Sequence, residues 1–213
     1  MFRYLLILGL SVLTVTPAYA DPDLTSLSDE RKIQKLLDNW RSRSAIPGAA
    51  LSIYTPEQHN PMTFASGTSQ FRGGKSITKN TLFQAGSITK SFTSMIILKL
   101  EAEGRLNIDD SITRYLPQYP QWRNVTIRQL LNHTSGIPNY TNTGQFNRIR
   151  KETPQAGFSP AQLVSMAGSR MLFAPGRGWK YSNTNYVLAG MIIERVTGRP
   201  VNAIMNSYIH SRN

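Results

Sequence analysis

Cysteine is missing from all 213 residues, which excludes a disulfide framework, a thiolate zinc site and any cysteine-borne lipid. Stability must come from packing. Acidic residues are scarce, 12 Asp and Glu against 24 Lys and Arg, for a formal charge of +12. The excess favours anionic partners, yet the basic residues are scattered (Arg41, Arg72, Lys75, Arg128, Arg150 and Lys180 among them), with no helix-long stripe and no aromatic-interleaved module. No nucleic-acid partner is expected, and the charge reads as a solvated surface biased towards acidic polymers. The histidines, His59, His133 and His210, stand far apart without an H-E-x-x-H pattern or an adjoining carboxylate cluster, so no metal and no other cofactor is expected. Internal repeats and low-complexity tracts are lacking too. What is left is one ordinary domain's length of chain, 40% apolar, enough to bury a real core.

Only the start of the chain has a long apolar run. Arg3 precedes Leu5 to Val15, and Ala18-Tyr19-Ala20 then forms an A-x-A cleavage pattern. The run is short of the roughly 20 residues that span a bilayer. Residues 1–20 therefore read as a signal peptide, with Asp21 as the expected mature start. Losing Arg3 leaves 23 basic residues against 12 acidic ones, or +11. No later stretch is apolar enough to span, so the expected location is periplasmic or secreted, with no membrane span in the mature form.

Beyond the leader, Ile33, Leu36, Leu37 and Trp40 share one helical face over Asp29 to Trp40, with Ser26 and Ser28 as candidate N-caps and Pro47-Gly48 as the stop. Ala49 to Tyr54 reads as a short buried strand and Met62 to Ser66 as its hairpin partner. Ser87 to Glu103 carries Ile88, Phe92, Met95, Ile96, Ile97 and Leu100 over a wide arc and ends at Gly104, the pattern of a largely buried helix. From Asp110 to about Phe173 the pattern gives short helices and loops, with Thr126 capping Ile127 to Asn132, a turn at His133-Thr134-Ser135-Gly136, and Ser159 capping Pro160 to Ala167. Asn185 to Val196 and Val201 to Ile209 read as the last helices.

Chemistry concentrates at two places. Ser87 and Lys90 are three residues apart at a helix start, so they stand one above the other on the same face. A serine hydroxyl needs a neighbour to take its proton, and a lysine does so where burial or nearby positive charge disfavours its ammonium form. The helix N-terminus supplies positive potential and free N–H groups suited to an oxyanion. The competing reading of such a serine is a plain helix cap. In Tyr181-Ser182-Asn183, an extended backbone would send Tyr181 and Asn183 to one side and Ser182 to the other. A phenol there can relay a proton to a leaving group, and an amide can hold both the lysine and a substrate carbonyl. The competing reading is a packed tyrosine beside a capping asparagine.

Taken together, Leu82-Phe83-Gln84-Ala85-Gly86-Ser87-Ile88-Thr89-Lys90, then Leu130-Leu131-Asn132-His133-Thr134-Ser135-Gly136-Ile137-Pro138, then Pro175-Gly176 before Tyr181-Ser182-Asn183-Thr184-Asn185-Tyr186, closely resemble the serine β-lactamase and penicillin-binding superfamily. The Tyr-x-Asn form is similar to its class C-like branch, which includes D-alanyl-D-alanine carboxypeptidases and related esterases. The resemblance runs from about Asp29 to the end. It implies an α+β, β-lactamase/transpeptidase-like fold, in which an antiparallel sheet flanked by helices is joined to a helical subdomain. It also implies Ser87 as acylated nucleophile, with its backbone N–H in the oxyanion hole, Lys90 as proton partner, Tyr181 as second acid/base group and Asn183 as substrate-binding support. His133 and Thr134 fall in a stretch that looks structural.

The family's third motif, Lys-Thr-Gly or His-x-Gly on a C-terminal strand, has no counterpart between Asn183 and Asn213. The expectation is therefore a partial domain over 21–213 that lacks the C-terminal strands. Residues 26–110 would hold a helix, two strands and the catalytic helix, 111–180 the helical subdomain, and 181–213 the Tyr-x-Asn segment with the helices after it. Activity is expected to suffer, since losing one oxyanion donor costs about 10²–10³ in rate in other hydrolases. The implied function is a serine hydrolase of D-alanyl-D-alanine carboxypeptidase type acting on peptidoglycan stem peptides. A β-lactam or a small ester would meet the same apparatus, so a β-lactamase or serine esterase is the first alternative. A non-catalytic envelope-binding scaffold, or an inactive fragment needing a separately encoded C-terminal segment as partner, is the second.

Overall fold

A computed structural model describes residues 29–56 and 60–210. The candidate caps Ser26 and Ser28, the leader and His59 lie outside the described residues. Two compact units divide the chain at Phe83 and Gln84.

In the first unit the apolar face around Leu37 gives α1 (Asp29–Arg43), longer than its sequence pattern by three residues. The antiparallel strands β1 (Gly48–Ile53) and β2 (Met62–Gly67) pair from Gly48 opposite Gly67 to Ile53 opposite Met62. Leu37, Ala49 and Phe64 form a small core, with Ile33, Ile46, Ile53 and Met62 packed around it. Polar bonds fasten α1 to β2. Gln34 Nε2 donates to the Ala65 carbonyl at 3.1 Å, Arg41 Nε donates to Ser66 Oγ at 2.8 Å, and Ser66 Oγ donates to Asp38. The expected burial of the first strand is corrected here: only Ala49 of β1 is buried, and Ala50, Leu51 and Ser52 are exposed. With two strands and one helix in this unit's described residues, there is too little structure to cover the strand. A groove of about 520 Å³ beside Leu36, Trp40 and Leu51 stays open.

The second unit is helical. A 3₁₀ turn (Gly86–Ile88) leads into α2 (Thr89–Ala102), followed by α3 (Ile127–Leu131), α4 (Gly144–Glu152), α5 (Pro160–Ala167), α6 (Asn183–Thr197) and α7 (Val201–His210). Caps expected from sequence are in place. Thr126 and Gln129, and likewise Ser159 and Gln162, exchange side-chain and backbone bonds as capping boxes, and Gly104 ends α2 with φ 68°. Ile96, Ile97 and Leu100 of α2 pack with Ile127 and Leu130 of α3 and with Leu188, Ile192 and Ile193 of α6 in one buried cluster. α2 is not largely buried, however. Ile88, Met95 and Leu98 are exposed, so the wide apolar arc is covered on one side only. α6 begins at Asn183, two residues before the expected Asn185, because Asn139 Oδ1 accepts the Asn183 N–H at 3.1 Å and satisfies an orphan donor of its first turn. No helix among the described residues is long and apolar enough to cross a membrane.

Candidate active site

The four site residues expected from the sequence, Ser87, Lys90, Tyr181 and Asn183, meet within the second unit. Ser87 lies in the 3₁₀ turn, exposed, and Lys90 follows on the first turn of α2. Their spacing works as expected, with Lys90 Nζ donating to Ser87 Oγ at 3.2 Å. Tyr181 arrives from a chain segment 94 residues away and stands with its hydroxyl 2.9 Å from Ser87 Oγ. Asn183 Oδ1 accepts from Lys90 Nζ at 2.8 Å. Ser182 adopts extended angles and turns away, donating through Oγ to the Pro138 carbonyl at 3.1 Å. Tyr181 and Asn183 thus share a side although Asn183 is already helical.

The electrostatics make the Tyr181 phenol more acidic than an ordinary one. Burial pushes its pKa up, but hydrogen bonding by Lys90 and Ser87 and the Lys90 charge together bring it below the ordinary tyrosine value. Lys90 Nζ also lies 5.0 Å from the Tyr181 ring centroid and 5.5 Å from that of Tyr186, within range of a cation–π attraction. Ser87, Lys90, Tyr181 and Asn183 are the groups that can exchange protons or hold a carbonyl here. Among the described residues no group of His, Asp and Glu is placed to hold a metal ion.

A frame behind these four residues went unread in the sequence as a functional element. The turn from His133 to Thr141 grips the segment around Tyr181. The carbonyl of His133 accepts the Lys180 N–H at 3.0 Å, that of Thr134 accepts the Gly176 N–H at 2.8 Å, and that of Gly136 accepts the Leu172 N–H at 2.9 Å. His133 Nδ1 accepts the Ser182 N–H at 3.2 Å. Thr184 Oγ1 donates to the Pro138 carbonyl at 2.7 Å, and Thr141 Oγ1 accepts from Asn183 Nδ2 at 3.3 Å. Fully buried Asn185 accepts from Ser135 Oγ at 2.8 Å and donates to the Leu130 carbonyl at 3.1 Å. Gly136 is required because its φ is 78° and a Cβ would fall 2.2 Å from the Phe173 carbonyl oxygen. The available signal was polar Thr184 and Asn185 on the inward face of an otherwise apolar helix, where each needs a partner.

Comparison with known proteins places this geometry. Residues 30–211 match the family described as Beta-lactamase. Penicillin-binding protein 4* of Bacillus subtilis (strain 168) is 40% identical over 119 residues, 56% of this chain and 26% of that protein. Esterase EstB of Burkholderia gladioli is 29% identical over 212 residues, covering 92% of this chain and 53% of the esterase. A solved D-stereospecific amidohydrolase from Streptomyces sp. superposes with a TM-score of 0.73 at 36% identity, over 86% of this chain and 54% of that one. The chain thus spans about a quarter to a half of the length of these relatives. With the family match running through nearly all of it, the chain belongs to the Beta-lactamase family and has the α+β β-lactamase/transpeptidase-like fold.

Proposed function

We propose that the chain catalyses acyl transfer through an ester on Ser87, with a D-configured amide, the D-alanyl-D-alanine end of a peptidoglycan stem peptide, as its substrate class. One observation carries the reading: Ser87 Oγ lies within hydrogen-bond reach of both Tyr181 Oη and Lys90 Nζ, the nucleophile-and-base contact that acyl transfer needs. The lowered Tyr181 pKa makes the phenolate, the form that accepts the Ser87 proton, easier to reach than from an ordinary phenol. Ser87 Oγ then attacks the carbonyl carbon, the resulting oxyanion is stabilised at the N-terminal end of α2, and Tyr181 passes the proton to the leaving amine as the C–N bond breaks. Water hydrolyses the ester by the same groups in reverse. Lys90 supports both steps by holding positive charge against the phenolate, and Asn183 fixes Lys90. The D-stereospecific amidohydrolase among the relatives supports a D-configured amide substrate, and the penicillin-binding protein supports penicillin as the probe.

The test is the intact mass of the chain after incubation with a penicillin, beside Ser87→Ala and with a far-UV spectrum of each sample. A stoichiometric adduct absent from Ser87→Ala is the expected result. A folded chain that gives no adduct with the penicillin but one with a small activated ester would move the assignment to an esterase, and a folded chain inert to both would leave a binding scaffold.

A further inference from the structure

His133 touches none of the reacting atoms, yet it brackets the residue that does. Its backbone is held at φ 64°, the left-handed region a histidine seldom adopts, and there its carbonyl accepts the N–H of Lys180 at 3.0 Å. Its ring returns to the other flank of Tyr181, where Nδ1 accepts the buried N–H of Ser182 at 3.2 Å. The imidazole lies against the phenol, with ring centroids 4.5 Å apart, and against Tyr186 at 5.4 Å. An N–H aimed at Nδ1 requires a bare nitrogen there, so the neutral ring carries its proton on Nε2.

We propose that His133 is a positioning residue: its backbone carbonyl on the Lys180 side and its neutral imidazole on the Ser182 side together clamp the chain around Tyr181 and so fix the phenol against Ser87, and a proton on Nδ1 opens the imidazole side of the clamp. The proposal rests on the hydrolase reading above and adds an acid-side control to it. With Nδ1 protonated, two N–H donors face each other at Ser182, and the bond is lost together with the seating of the ring. The groups facing His133 are few. Lys90 of α2 is the charge acting on it, the phenols of Tyr181 and of Tyr186 on α6 are its titratable neighbours, Asn185 Nδ2 lies 3.5 Å from Nδ1, and Trp179 meets the ring edge-on. Burial, and then the Lys90 charge, hold the imidazole below the ordinary histidine value, so the clamp is closed at neutral pH.

Below the ordinary histidine value the unfolded chain takes up a proton that the folded chain resists, so the folded state weakens as pH falls through that value and is unaffected above it.

The experiment is a pH titration of the full chain by NMR, with labelled histidine and tyrosine rings and the Ser182 amide followed together, alongside the acylation rate with a penicillin. His133 is expected in the Nε2–H tautomer, and the Ser182 and Tyr181 signals are expected to shift with it at one midpoint below the ordinary histidine value. His133→Asn keeps an acceptor near the Nδ1 position, tolerates positive φ and cannot titrate in this range. It is expected to retain the acylation rate constant at neutral pH and to lose the acid-side fall that tracks the histidine midpoint. His133→Phe keeps the ring and removes the acceptor, and is expected to lower that rate constant about 10²-fold while penicillin affinity holds. An Nδ1–H tautomer, Tyr181 signals indifferent to the His133 titration, or an unchanged acid limb in folded His133→Asn overturns the proposal. Should the unaltered chain give no adduct at any pH, the hydrolase reading fails, and the NMR titration still decides the clamp.

Discussion

Residues 84–213 and residues 29–83 bury apolar surface to very different depths. In the former, Ile97, Leu100, Ile112, Ile127, Leu130, Leu188 and Ile192 expose none of their surface. In the latter the cluster comes down to Leu37, Ala49 and Phe64, while Leu36 and Trp40 are each 54% exposed and Leu51 is 36% exposed. The difference teaches where the chemistry is built. Ser87, Lys90, Tyr181 and Asn183 all lie in the unit with the deep core, on or beside helices whose other faces are locked by packing. Precise placement of reacting groups depends on such support. The strand unit contributes none of the four.

The contrast can be broken most sharply at the site. Lys90→Ala is expected to cut the acylation rate by about 10²–10⁴-fold, the usual share of a proton-handling group, because Tyr181 loses the charge and hydrogen bond that make its phenol acidic, whereas Lys75→Ala in the strand unit leaves it unchanged; stopped-flow with a chromogenic β-lactam separates the two. Packing gives the next effect. Leu100→Ala is expected to cost about 2–5 kcal/mol by opening a cavity in the helical core, and Leu36→Ala to stay within about 0.5 kcal/mol, as substitutions of surface side chains do. Urea unfolding reads both, with Trp122 and Trp179 reporting from one unit and Trp40 from the other. A loss smaller than that of Leu100→Ala is expected in the frame behind the site. Ser135→Ala leaves the buried Asn185 oxygen without its donor and is expected to cost about 1–3 kcal/mol, visible as a lower urea midpoint at unchanged slope.

Much of this arrangement is legible in the sequence, and unevenly so. Periodicity located α1, α2, α6 and α7, and side-chain caps located α3 and α5, because those signals are local. The Ser87 to Lys90 contact was also local, one helical turn. Burial was harder to read. The apolar run over β1 promised a covered strand, and the arc of α2 a covered helix, but covering depends on what packs across from them, which the run does not encode. The grip of His133 and Asn139 on the Tyr181 segment is longer in range still. It joins positions more than 40 residues apart through backbone donors, and no spacing rule carries that information. His133 was read as part of a structural turn, and its turn is indeed where it sits; the use of its ring is visible only in three dimensions.

The central claim is that Tyr181 faces Ser87 as an acidified phenol. A pH titration of the Tyr181 ring carbon bearing the hydroxyl, in the full chain with ¹³C-labelled tyrosine, tests it directly. Tyr181 is expected to ionise below the ordinary phenol value and to move upward in Lys90→Ala, since Lys90 supplies the charge and hydrogen bonding that oppose burial. A Tyr181 that ionises as an ordinary phenol, and is unmoved by Lys90→Ala in a folded chain, would contradict it.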